Sequence, residues 1–201
     1  MIDRPLVSLL LIVLPIAFLL LMEFMAARFK LKTELTRKAT HIAVGVVAVL
    51  GFLEGPLWLY AASIAGLTLF LMITQRRRLL KVLHVVERPS FGELFFPLGL
   101  LAPLPLTLSY PEIYITSILV VTFADSAAGL VGHFRQKHTK SVEGSLAFLV
   151  VAFLVIVLTT ALPLGAAALV AGIVMIVERY STYGLDNLTI PLATTALLLL
   201  F

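Results

Sequence analysis

The stretch from Ile113 to Ser145 reads I-Y-I-T-S-I-L-V-V-T-F-A-D-S-A-A-G-L-V-G-H-F-R-Q-K-H-T-K-S-V-E-G-S. An apolar run leads to Asp125, continues through small residues to Gly132, gives way to a basic connection with Arg135, Lys137 and Lys140, and resumes beyond Gly144. About 20 apolar residues wound as a helix cross a hydrocarbon core of about 30 Å. The stretch therefore reads as two membrane-spanning helices joined by a charged turn. Asp125 would lie roughly 12 Å inside the first of them, and an ionised group at that depth is expensive and usually functional. Asp125, Ala128, Gly129 and Gly132 follow i, i+3, i+4, i+7 spacing and share one helix face, so the acid stands above a strip with almost no side chains.

The rest of the chain repeats this alternation. Of 201 residues, 61% are hydrophobic and 13% charged, with a mean hydropathy of +1.09, which excludes a soluble domain and places the chain among multi-pass membrane proteins. Apolar runs fall at about 6 to 27, 39 to 53, 56 to 74, 94 to 109, 112 to 132, 144 to 162, 165 to 178 and 188 to 201. The runs imply an all-α integral membrane protein of about eight transmembrane helices, as a single domain over residues 1 to 201 with no internal repeat.

All but Arg4 of the 15 basic residues lie in alternate connections: Arg28 to Lys38, Arg76 to Arg88, Arg135 to Lys140, and Arg179. Cytoplasmic loops hold the Lys and Arg of membrane proteins, so the motif-bearing loops are expected on the cytoplasmic face, in the cytoplasmic membrane of a prokaryote, with both termini outside. The net charge of +4 is accordingly a topological signal, and no nucleic-acid motif accompanies it. The absence of Cys excludes disulfides and Cys-ligated metal. Leu6 to Met25 is long for a signal-peptide core and reads as an uncleaved helix.

Polar residues gather at the same ends. Arg37, Lys38 and His41 share a face at the start of the second span; they serve either as positive-inside anchors or as a grip on phosphate. Thr74 to Arg88 has the two-sided pattern of a helix lying in the membrane interface. Glu93 opens the fourth span, where it suits a base, a metal ligand or the positive end of the helix, and Pro97, Pro103 and Pro105 interrupt that span. Lys140, Ser141, Glu143 and Gly144 open the sixth span, whose free N–H groups favour a phosphate. A capping box from Ser141 needs an acid three residues on, whereas Glu143 is two on. Glu178 ends the seventh span, and Asp186 with Asn187 suits either an N-cap for the last span or magnesium coordination.

Four motifs together resemble the CTP-dependent lipid kinases, the family of dolichol (polyprenol), phytol and CTP-dependent diacylglycerol kinases. They are R-K-A-T-H at Arg37 to His41, G-E-L-F-F-P at Gly92 to Pro97, D-S-A-A-G-L-V-G with K-S-V-E-G, and E-R-Y-S ahead of D-N-L-T-I-P. The third is also similar to the CTP-binding region of phosphatidate cytidylyltransferases, whose C-terminal signature is missing here. The 133 to 139 connection lacks a glycine seen in many relatives.

The resemblance implies transfer of the γ-phosphoryl group of CTP to the hydroxyl of a membrane lipid alcohol, with Mg²⁺ neutralising the phosphates. It assigns metal binding to Asp125 with Glu143 or with Asp186 and Asn187. Nucleotide binding falls to Gly129, Gly132, Lys137, Lys140, Ser141, Glu143 and Gly144. Arg37 and Lys38 would clamp the transferring group, and Glu93 or His41 would be the base. A cytidylyltransferase-type CDP-lipid synthase and a transporter using Asp125 and Glu93 are the competing readings.

Overall fold

The computed structural model describes residues 4–77, 79, 90–134 and 140–201. Most of the expected interfacial helix from Thr74 to Arg88 lies outside these, as does Lys137. Among the described residues the chain is helical throughout. The elements are α1 (Arg4–Phe29), α2 (Thr33–Glu54), α3 (Leu57–Arg76), α4 (Gly92–Leu101) with a 3₁₀ turn (Leu104–Leu106), α5, α6 (Val142–Thr159), α7 (Leu164–Tyr180) and α8 (Asp186–Leu198). Helix α5 is one rod in three pieces: Pro111–Leu119, a π-helical turn at Val120–Ala124, and Asp125–Phe134.

Each helix coincides with one of the eight apolar runs, but they are not equivalent. Thr33–Glu54, Leu57–Arg76, Pro111–His133 and Val142–Thr159 are long and apolar enough to cross a membrane. Helices α4 and α8, of 10 and 13 residues, fall short of the roughly 20 a span needs. The prolines explain α4: beyond Pro97 the chain tightens at Pro103 and turns, and Thr107 closes the break by donating to the Pro103 carbonyl at 3.0 Å. The shorter helices pack inward, α4 against α3 and α8, and α8 against α7 and α5.

Small residues set the spacing between helices, as in membrane bundles generally. A Cβ on Gly144 would stand 3.0 Å from the Ala128 carbonyl, and one on Gly99 would strike the Asn187 carbonyl. Ala128, Ala152, Ala167 and Ala171 are buried as well. Hydroxyls are satisfied locally, since lipid offers them no water: Thr40, Thr68 and Thr194 each donate to the carbonyl four residues back. Ser117 and Thr195 are 2.8 Å apart between α5 and α8.

The two ends of the bundle differ. At the end that carries Glu54 and Glu112, Tyr114 donates to the Leu100 carbonyl at 2.7 Å, so the 2.6 Å contact with Tyr60 must use the Tyr60 proton. Trp58 and Tyr110 are exposed nearby, and Tyr180 and Tyr183 at the opposite end, matching the aromatic belts of membrane proteins. At that opposite end the starts of α2, α4, α6 and α8 meet the finishes of α3 and α7, and the polar motifs are there.

Candidate active site

The site begins with an irregularity in α5. The π turn ends where Asp125 begins, and π turns inside helices are frequent at functional sites. Gly45 lets α2 close on this turn, because any Cβ there would lie within 2.1 Å of the Thr122 hydroxyl. Lys38, His41 and Gly45 are spaced i, i+3, i+7 and so face α5 together. Lys38 donates to Asp125 Oδ2 at 2.5 Å and to the Asp125 carbonyl at 3.1 Å. His41 Nε2 contacts the Val121 carbonyl at 3.1 Å and lies 3.8 Å from Asp125 Oδ2. A carbonyl only accepts, so this bond puts the imidazole proton on Nε2; the ring stacks on Phe96 with centroids 3.7 Å apart. The strip below Asp125 is partly filled, since a Cβ on Gly129 would meet Lys38 Cε at 2.2 Å, whereas one on Gly132 would meet nothing within 4 Å.

A second cluster adjoins the first. Lys140, just ahead of α6, lies 2.6 Å from Glu178 Oε1 and 2.8 Å from Asp186 Oδ2, and also donates to the Glu178 carbonyl. Burial alone would lower the Lys140 pKa, but the two carboxylates hold it above the ordinary lysine value. Asp125, Glu178 and Asp186 each bring an oxygen within 4.8 Å of the others. Glu178 Oε2 and Asn187 Oδ1 are buried without a hydrogen-bond partner. Orphaned oxygens of this kind are uncommon, and oxygen-only donors from three carboxylates and an amide suit a hard divalent cation such as Mg²⁺.

Beside both clusters lies a cavity of 50 Å³ lined by Arg37, His41, Glu93, Phe96 and Asn187 among others. Arg37 is held by Glu34 through two parallel bonds, at 3.1 and 2.8 Å, and Gln75 donates to Glu93 Oε1 at 3.1 Å. Two glycines meet beside it, Gly92 in the cavity lining and Gly184 against Gly92. Gly184 adopts φ +82° under Gly92, where a Cβ would lie 2.4 Å from the Gly92 nitrogen; only glycine takes that conformation without strain.

Of the residues singled out in the sequence, the structure therefore gathers Arg37, Lys38, His41, Glu93, Asp125, Lys140, Asp186 and Asn187. Ser141 does something the sequence reading discounted. Its hydroxyl caps α6 by accepting from the Gly144 N–H at 2.9 Å. The box with Glu143 is not needed, because a serine cap satisfies an N3 donor by itself. Gly144 serves close packing, and Glu143 stands outside the carboxylate cluster on the first turn of α6. Asp186 is the first residue of α8, and Leu185 is its N-cap. The Asp186 carboxylate is thus shared between the Asn187 N–H and Lys140.

Glu178 was the omission among the metal candidates. Its signal was weaker than that of Asp125: it is an acid at the end of an apolar run, on the same membrane face as Asp186 and Asn187, whereas Asp125 lies well inside one. It is 4% exposed.

Among known proteins, the phytol kinase of Synechocystis sp. is 34% identical over 178 residues, covering 80% of this chain and 76% of that protein. The chain belongs to the phytol kinase family. Membership bears out the family resemblance of the four motifs and implies a kinase with a nucleotide donor. No family model and no solved structure matches the chain.

Proposed function

We propose that this protein phosphorylates the hydroxyl of a phytol-like or other polyprenol alcohol, taking the γ-phosphoryl group from CTP at the cytoplasmic face of the membrane. The observation that supports it most is the convergence of Asp125, Glu178 and Asp186, with unpartnered oxygens on Glu178 and Asn187, beside a cavity lined by Arg37 and Glu93. Phosphoryl transfer demands little covalent chemistry from a protein; it demands positioning and charge stabilisation.

Asp125, Glu178, Asp186 and Asn187 would hold Mg²⁺, which when bound neutralises charge on the nucleotide phosphates. Lys140 reaches the same oxygens from the connection ahead of α6, so it is placed to answer phosphate charge there. Lys38 fixes Asp125 in position and offsets its charge. Arg37, with two of its nitrogens anchored on Glu34, presents a planar cation to the cavity, the geometry suited to a transferring phosphoryl group. Glu93, oriented by Gln75, is the base that accepts the alcohol proton, while His41, with Nε2–H engaged by Val121, positions the α2–α5 contact. The resemblance assigns Gly129, Gly132, Lys137, Ser141, Glu143 and Gly144 to the nucleotide. Of these, Gly129 acts through Lys38, and Ser141 and Gly144 act by shaping the start of α6.

The test is transfer of label. Purified protein is incubated with Mg²⁺, a panel of lipid alcohols, phosphatidate, and CTP labelled at the γ- or the α-phosphorus. Label from the γ position in an alcohol is expected. Label from the α position in phosphatidate would make it a cytidylyltransferase, and no transfer from either would sink the proposal.

A further inference from the structure

A second cavity of 260 Å³ lies between α1 and α3, lined by Leu11, Pro15, Ile16, Leu59, Ser63 and Gly66, with Leu67 at its end. Leu67 also lines the small cavity beside the carboxylates, together with Leu19 from α1 and Leu71 from α3. The two cavities thus meet at one side chain. Numbering rises along both helices from the large cavity to the small one, from Leu11 to Leu19 and from Leu59 to Leu71, so α1 and α3 form parallel walls of one path.

From the rise per residue, Leu59 to Leu71 spans about 18 Å, comparable to the roughly 15 Å of one leaflet of the hydrocarbon core. The lining of the large cavity carries no charge; its single side-chain hydroxyl, on Ser63, has no hydrogen-bond partner. A polar head therefore belongs at the other end, with Arg37, His41 and Glu93. Ala62 and Gly66 are exposed on the outer surface of α3, so the path opens sideways towards lipid. Apolar and open to lipid, the groove suits a hydrocarbon chain.

We infer that the groove between α1 and α3 binds the hydrocarbon tail of the acceptor alcohol, with the tail running from the small cavity past Leu67 to Leu11 and Leu59. This rests on the proposed function for the identity of the alcohol, and it adds where the tail lies and what measures its length. Gly66 is the gauge: a Cβ there meets nothing within 4 Å, so a larger side chain enters the groove without straining the helix.

Two measurements separate this inference from the kinase proposal. In the first, a long-chain alcohol carrying a diazirine at its tail end is photolysed with the protein in nucleotide-free nanodiscs, and labelled peptides are mapped. Label on 11–16 and 59–67, competed by unlabelled long-chain alcohol and lost in Gly66→Phe, is expected whether or not transfer occurs. Label spread over the lipid-facing helices, or insensitive to competition, would identify ordinary bilayer lipid as the occupant and overturn the inference. In the second, kcat/KM is compared for short and long isoprenoid alcohols in Gly66→Phe and Ala62→Phe. A loss of about tenfold for long alcohols, with short ones unchanged, is expected. Equal losses for both lengths, or none for either, would overturn it, whereas failure of the wild type to phosphorylate any alcohol defeats the kinase proposal and leaves the labelling to decide the groove.

Discussion

The molecule contains two lysine–carboxylate clusters side by side, and they are built differently. Lys38 and Asp125 come from two of the helices long and apolar enough to cross a membrane, and their side chains are 4% and 7% exposed. Lys140 comes from a connection, is 28% exposed, and reaches acids at the end of α7 and the start of α8. The closed pair has nowhere to go: separating it would leave two charges in a helical bundle without water, so it acts as a fixed strut that positions one carboxylate. Under the proposed function the open cluster would exchange its cation, Lys140 turning towards solvent while Glu178 and Asp186 stay. The exposure of the lysine, 4% against 28%, thus separates the two clusters, although Glu178 at 5% is as buried as Asp125 at 7%.

The largest effects are expected at the closed pair. Lys38→Met leaves Asp125 buried without its cation, and breaking such a pair costs about 3–5 kcal/mol. The melting temperature in detergent should fall accordingly and recover largely in Lys38→Met/Asp125→Leu, which removes both charges. Asp125→Asn should keep the protein folded while lowering transfer to the alcohol by about 10³-fold. Substantial turnover in that variant, or a Lys38→Met protein as stable as wild type, would mean that the strut reading is wrong.

The next effect belongs to the acid the two clusters nearly share. Glu178→Gln keeps the shape and removes the charge from the oxygen that lacks a partner. Activity titrated against Mg²⁺ should then require roughly 100-fold more metal, with the midpoint for CTP shifted less. An unchanged Mg²⁺ dependence would remove Glu178 from the metal site and leave Asp125 and Asp186 without their third acid.

How much of this was legible beforehand depended on the kind of signal. The helices were readable because lipid solvation demands long apolar runs, and every run became a helix. Which runs span was less readable, since α4 and α8 are shortened by turns and by packing inside the bundle, both tertiary effects. Asp125 was visible as a charge in an apolar run. The π turn ahead of it was not, because V-V-T-F-A carries no residue that demands it; it is recognisable only from the approach of α2 at Gly45. The Ser141 cap needs one hydroxyl and no two-residue box, and Glu178, at the end of its run, shares a membrane face with Asp186 and Asn187 in the sequence, but only the packing of α7 on α8 and α6 brings it to Lys140.

Lys140→Ala tests whether the open cluster meets the nucleotide. The KM for CTP should rise by about tenfold with a smaller change in kcat, since the lysine is placed to bind charge that is present before and after transfer. An unchanged KM would confine Lys140 to a structural tie between α6, α7 and α8.

The smallest effect distinguishes the two lysines most sharply. Lys140→Met should lower stability less than Lys38→Met does, because Lys140 is 28% exposed and Asp186 14%, although Glu178 is 5%, and high salt should erase part of that difference, because screening shortens to about 3 Å at 1 M. Its pH dependence has a defined sign. The carboxylates raise the Lys140 pKa above the ordinary 10.5, so the ion pairs contribute fully below pH 10.5 and the contribution is lost as pH rises through the higher, folded-state value. The melting-temperature difference between wild type and Lys140→Met should therefore stay constant around neutral pH and shrink only in strong alkali. Lys38→Met, with its partner sealed from solvent, should keep its deficit at high salt. If salt affected both variants alike, the division into a closed strut and an open, exchangeable cluster would fail, and Lys140 would have to be regarded as fixed in place like Lys38.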